Sequence, residues 1–152
     1  MAAGKWKLYA KAKEAIANGD IDLNGHSFKI NLYSSSSNAD TLTAHDQLTD
    51  ITNQLSTANG YTQNTKAVTL SVSESGGTVT VDETTNPVWT ASGGSITARF
   101  AVIYDDTHAQ DHPLCVCLLD TTPANVTATD GNTFTITMNA SGLFTMSGAD
   151  SN

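Results

Sequence analysis

The sequence predicts a mainly β chain: a single-domain β-sandwich, jelly-roll-like, with one short N-terminal helix and a second short helix. Three observations carry that expectation. Only 14% of the residues are charged, well under the usual quarter, and threonine and serine fill the gap; threonine suits a pleated, half-exposed sheet. From Lys66 onward, short alternating apolar runs are separated by glycine, asparagine and aspartate turn signals, as in sandwiches and barrels. Finally, Ile96, Ala98, Phe100, Val102 and Tyr104 fall on alternate positions, and Ala101 and Ile103 make the second face apolar too. That pattern places the segment centrally in a sheet. At 152 residues such a chain buries about 68–70% of its unfolded surface in one domain, residues 1–152, without needing a disulfide or a metal. It has no fixed-period repeat and no dividing linker.

The elements follow in order. Residues 5–17 (KWKLYAKAKEAIA) are good helix formers, with Leu8, Ala12, Ala15 and Ile16 on one stripe and Asn18-Gly19 as the stop. Ile21 and Leu23, then Phe28, Ile30 and Leu32, alternate around an Asn24-Gly25 turn and predict paired strands ending near Tyr33. Residues 34–37 are a serine run and read as a loop. Thr43 to Asp46 fits a capping box ahead of Leu48, Ile51 and Leu55 at helical spacing. Thr41, Thr43, Thr49 and Thr52 weaken that helix, which is expected to be short or irregular and to end by Asn59-Gly60.

Strands are expected over residues 67–73, over 78–81 after the Gly76-Gly77 turn, and over 88–91 after Asn86-Pro87. The long strand over residues 96–104 and the apolar run 114–119 are joined by the polar loop 105–112 and form the spine of the fold. Residues 126–129, 133–138 beyond the Asp130-Gly131 hairpin signal, and 142–146 complete the sheets. Residues 148–152 read as a frayed tail.

Charge is unevenly spread. Through Lys29 five lysines face three acidic residues, net +2; the remainder sets Lys66 and Arg99 against twelve acidic residues, net −10. A body this acidic is repelled by phosphate backbones, so nucleic acid is not an expected partner. No stretch approaches the ~20 apolar residues of a helical membrane span. The N-terminus lacks an apolar signal-peptide core, so synthesis and folding in the cytosol are expected.

Candidate chemistry is sparse. Cys115 and Cys117 share one side of a strand, too close along the chain for an unstrained bridge; buried reduced thiols are expected rather than a metal pair. Asp20 to Gly25 imitates the start of a calcium loop, but the twelfth position is Asn31, not the required glutamate. Asp105, Asp106, His108, Asp111 and His112 crowd one loop; an exposed polar hairpin tip is the plainer reading, a metal site through the two histidines the sharper one. No nucleophile elbow, His-x-His pair or phosphate-cradling glycine loop is present. Asn125 and Asn139 open glycosylation sequons, which mean little without a secretory signal. No catalytic residue, metal or cofactor is assigned.

Several phrases carry a resemblance. The Lys-rich start, Gly19-Asp20-Ile21-Asp22-Leu23, and Phe28 to Tyr33 open the chain. Gly60-Tyr61-Thr62, the run Pro87 to Arg99, and Ala101 to Asp105 continue it. Over about residues 5–146 the sequence resembles small virion structural proteins of tailed bacteriophages. The resemblance implies a capsid cement or decoration protein: a β-sandwich on the capsid exterior that binds the major capsid protein and clamps neighbouring capsomers. A homotrimer is the expected assembly, with a dimer as the alternative. The residues singled out for shell or subunit contact are Lys5, Trp6, Lys7, Lys11, Lys13, Trp89 and Arg99, each with a plainer role: solvated charge for the lysines, core packing for the tryptophans. Rival readings are a tail, fibre or head-completion component, including a lectin-like glycan binder. A cupin-like metalloenzyme is disfavoured by the missing His-x-His.

Overall fold

A computed structural model of the chain describes residues 4–122 and 124–148. The chain is mainly β, with 38% of residues in strands and 8% in helices. In order the elements are β1 (Lys7–Leu8), α1 (Ala10–Asn18), β2 (Phe28–Tyr33), a 3₁₀ turn (Leu48–Asp50), β3 (Ala67–Val68), β4 (Leu70–Ser75), β5 (Thr78–Glu83), β6 (Val88–Thr90) and β7 (Ile96–Ala98). They continue with β8 (Phe100–Asp105), β9 (His112–Leu118), β10 (Val126–Ala128), β11 (Thr133–Thr135) and β12 (Phe144–Ser147).

The spine is where the alternation puts it. β8 and β9 form an antiparallel hairpin, Phe100 opposite Leu118, with a register shift at Ile103/Tyr104. They sit inside a five-stranded sheet of order β1-β9-β8-β2-β3. Every residue of β8 is buried, because a central strand covered on both faces needs apolar side chains at odd and even positions alike. Three smaller antiparallel sheets surround it: β10-β7, β11-β6 and β12-β5-β4. The mainly β class, with several antiparallel sheets and one α-helix among the described residues, is as the sequence predicts.

The structure revises five expectations. The helix begins at Ala10, not at Lys5. Upstream, the Gly4 N–H donates to Leu118 O at 2.8 Å and the Tyr9 N–H to Leu114 O at 3.1 Å, so residues 4–9 run along β9 as an edge. Sheet pairing there overrides helix propensity, which is marginal for so short a segment. The helix does end at Gly19, whose φ of +82° supplies the left-handed cap. Residues 21–23 are not a strand: the Asp22 carboxylate accepts the N–H groups of Asn24 and Gly25, each at 2.9 Å, and closes a local turn. Ile21 and Leu23 are nonetheless buried.

The second helix shrinks to the single turn Leu48–Asp50. Its N-cap is Gln47, in a capping box with Asp50, whose carboxylate accepts the N–H of Gln47 and of Asp46, rather than the predicted Thr43 box. The long strand over residues 96–104 is also split at Arg99. β7 pairs with β10, whereas β8 pairs with β2 and β9. The Arg99 N–H donates to Tyr33 O and its carbonyl accepts from the Leu119 N–H, so the chain changes sheets at a bend, the usual way a strand turns a corner between layers. Similarly, only Thr133–Thr135 of residues 133–138 is strand, although Phe134 and Ile136 point into the core. Of the expected tail, all but Gly148 lies outside the described residues.

Cys115 and Cys117 are both free and fully buried. Burial, then the neighbouring Cys117, raises the Cys115 thiol well above its ordinary value, and burial pushes Cys117 up to about 12. A thiol held protonated and covered is a poor nucleophile. Neither cysteine should react with a thiol reagent in the native protein, and both should in denaturant; labelling of either in the native state contradicts this packing.

Candidate contact surface

The N-terminal edge collects positive charge. In the alternation of residues 5–8, Trp6 and Leu8 turn inward, Trp6 being 7% exposed, while Lys5 and Lys7 stay outside. On α1, Ala12 and Ala15 face the core, leaving Lys11 and Lys13 in solvent. Lys11 spends its charge locally on Glu14 at 3.0 Å. Lys29 pairs with Asp106 at 2.7 Å, and Lys66 lies 5.4 Å over the Trp89 ring. Among the described residues Lys5, Lys7 and Lys13 form no ion pair. Lys5 and Lys7 rim a cavity of about 240 Å³ that includes Asp40, Phe100, Val116 and Leu118.

The other expected contact residues sit elsewhere. Trp89, 4% exposed, packs edge-on to Phe134 at 6.2 Å and against Tyr61 at 6.0 Å. With Trp6 it belongs to the core cluster, so in the isolated chain neither tryptophan is a surface anchor. Arg99 is half-buried and donates from Nε to Asn125 Oδ1 at 3.0 Å; it braces the bend between β7 and β8. Thus Lys5 and Lys7 share one cavity rim, Lys11 lines a separate cleft, and Trp89 and Arg99 belong to neither.

The polar loop 105–112 is more ordered than an exposed tip. Asp105 is fully buried. Its Oδ1 accepts the N–H groups of Thr107 and His108 at 2.9 and 3.3 Å, and its Oδ2 meets His26 Nδ1 at 2.5 Å. Asp111 adopts a φ of +49°, and burial, then the Asp106 carboxylate, raises its carboxyl above the usual range. The His108 and His112 rings meet edge-on at 5.5 Å, and His112 Nε2 lies 3.6 Å from Asp46 Oδ1. With α1 this loop bounds a polar cleft of about 300 Å³ lined by Lys11, Glu14, Asp20, Asp46, His108 and His112. Both signs of charge are mixed there. Among the described residues no group of three or more histidines, cysteines or acids is placed to hold a metal ion.

Replacing Asp105 by alanine removes the acceptor for two N–H groups and the partner of His26. The expected loss is about 1–3 kcal/mol of unfolding free energy, with faster amide exchange across residues 106–111. Denaturant titration with hydrogen exchange checks both, and an unchanged midpoint contradicts the assigned role.

Sequence reasoning missed β1. Its signal was present in the polar–apolar alternation Lys5-Trp6-Lys7-Leu8, masked by a run of lysine and alanine that favours helix. Nothing local announced the burial of Asp105, which depends on His26 from a distant turn. Neither a family model, nor a curated protein, nor a solved structure matches the chain.

Proposed function

We propose that the protein is a capsid cement or decoration protein of a tailed bacteriophage, seated on the outer shell against the major capsid protein and clamping neighbouring capsomers. One observation carries the reading: Lys5, Lys7 and Lys13 are exposed and form no ion pair among the described residues, in a chain whose remainder, beyond Lys29, is net −10. Charge segregated on a small domain orients it as it approaches a surface and fixes its register there. The motif resemblance of residues 5–146 supports the same reading. So does the small, sheet-built body, which adds cohesion through shape and needs no reacting group.

A homotrimer on local symmetry axes, with a dimer as the alternative, multiplies weak contacts into avidity. Each interface then needs only ~1,200–2,000 Å² of buried area. The test is to mix purified protein with shells assembled without it and measure co-sedimentation. Saturable binding at hundreds of copies per particle is expected, weakening as salt screens the lysines. Failure to bind at any salt contradicts the proposal, and tens of copies or fewer indicate a head-completion component instead.

A further inference from the structure

The polar cleft between α1 and the 105–112 loop holds a mismatch that its own side chains leave open. His112 is 5% exposed. Its Nδ1 lies 3.0 Å from Pro113 O; a carbonyl only accepts, so this nitrogen carries a proton. In the neutral ring Nε2 is then an acceptor. It stands 3.6 Å from Asp46 Oδ1, beyond hydrogen-bond length. Both residues line the cleft, so two acceptors stand side by side on its wall, and among the described residues no donor joins them. Asp20, on the same wall, is exposed and forms no ion pair among the described residues. Lys11 is already engaged by Glu14 at 3.0 Å. Lys11 against Glu14, Asp20 and Asp46 makes the lining formally net −2.

We infer that this cleft receives the side chain of an arginine presented by a partner protein. Two hydrogen bonds of ~2.8 Å from one tetrahedral nitrogen hold their acceptors about 4.6 Å apart, so an ammonium or a water spans this pair poorly. The parallel N–H groups of a guanidinium leave from nitrogens about 2.3 Å apart and reach both acceptors with little splay. One N–H goes to Asp46 Oδ1 and its neighbour to His112 Nε2, while Asp20 adds charge complementarity. A volume of about 300 Å³ is the low end for ligand sites and suits a single side chain. A proton on His112 Nε2 would pair it with Asp46 and take the place of the guanidinium; that alternative predicts no arginine binding. The inference does not rest on the function proposed above.

The experiment titrates the whole protein with N-acetyl-arginine methylamide at about pH 8, where an ordinary histidine is neutral. Backbone amide and His112 ring-nitrogen resonances are followed. Saturable binding with a Kd of about 1 mM is expected for one side chain, with His112 Nε2 and the Asp46 amide among the shifted signals. N-acetyl-lysine methylamide should bind at least about fivefold more weakly. Asp46→Asn should weaken arginine binding by about fivefold or more. Asp40→Asn removes the same charge from the rim of the other cavity and should change it less than about twofold. Both aspartates are exposed, so the parental amide spectrum should persist in each variant. The n-butylguanidinium ion, the same group without a peptide, tests the source. A gain of about tenfold or more over blocked arginine overturns a protein-borne occupant, and anything less supports it. No saturation, equal binding of the lysine compound, unmoved His112 nitrogens or indifference to Asp46→Asn each overturns the inference. Shell co-sedimentation is read separately and can succeed or fail whichever way the titration falls.

Discussion

Gly60→Ala is expected to destabilise the protein by about 2–5 kcal/mol, through a left-handed backbone and an overlap that side-chain movement cannot relieve. Gly60 has a φ of +86°, and a Cβ there would lie 2.0 Å from Thr90 O. The obstacle is backbone, and it belongs to β6, which also carries the buried Trp89 and pairs with β11. Moving it therefore disturbs two strands as well as the loop. Gly76 supplies the control. It too has a positive φ, +60°, but nothing lies within 4 Å of its added Cβ, so Gly76→Ala should cost only the conformational preference, about 1 kcal/mol. Urea titration of both variants checks the pair. Equal midpoints would mean that the approach of Gly60 to β6 does not constrain the fold.

The second large effect is on binding. Replacing Lys5, Lys7, Lys11 and Lys13 together by glutamate moves the formal net charge from −8 to −16, two units per site. All four side chains are exposed, Lys5 and Lys7 on the edge segment and Lys11 and Lys13 on α1, where surface substitutions cost little, so the fold should survive, with the thermal midpoint within a few degrees of the parent. Affinity for shells should fall by about 100-fold or more, equivalent to about 2.7 kcal/mol. Raising the salt should narrow the difference, because exposed charges are screened. Parental affinity in this variant, with the fold intact, would place the contact surface elsewhere.

Legibility in the sequence followed the physics of each segment. The β8–β9 hairpin was plain because a central strand writes its burial on both faces, as residues 100–104 do. Turns at Gly19, Gly76-Gly77 and Gly131 were plain because each needs a positive φ that glycine adopts freely. What failed depended on partners remote in sequence. Residues 4–9 lie along β9 because Leu114 and Leu118 offer carbonyls there, a fact no local window holds. The split at Arg99 reflects two different neighbours on either side of one residue, while the alternation runs on unbroken. Asp105 looked like a loop charge until His26 was placed against it. On the candidate surface, the lysines were readable as exposed charge, yet the cavity between Lys5 and Lys7 exists only because β9 brings Val116 and Leu118 beside them. Both tryptophans went to the core, as the largest apolar side chains in a small domain usually do.

The most direct measurement is a reconstruction of the intact virion at a resolution that traces strands. The account predicts ordered copies of this fold on the outer surface of the shell, related by local symmetry, with β1 and the lysine side of α1 turned toward the capsomers. Particles whose exterior carries no such density, or copies docked through the opposite, acidic side, would contradict it.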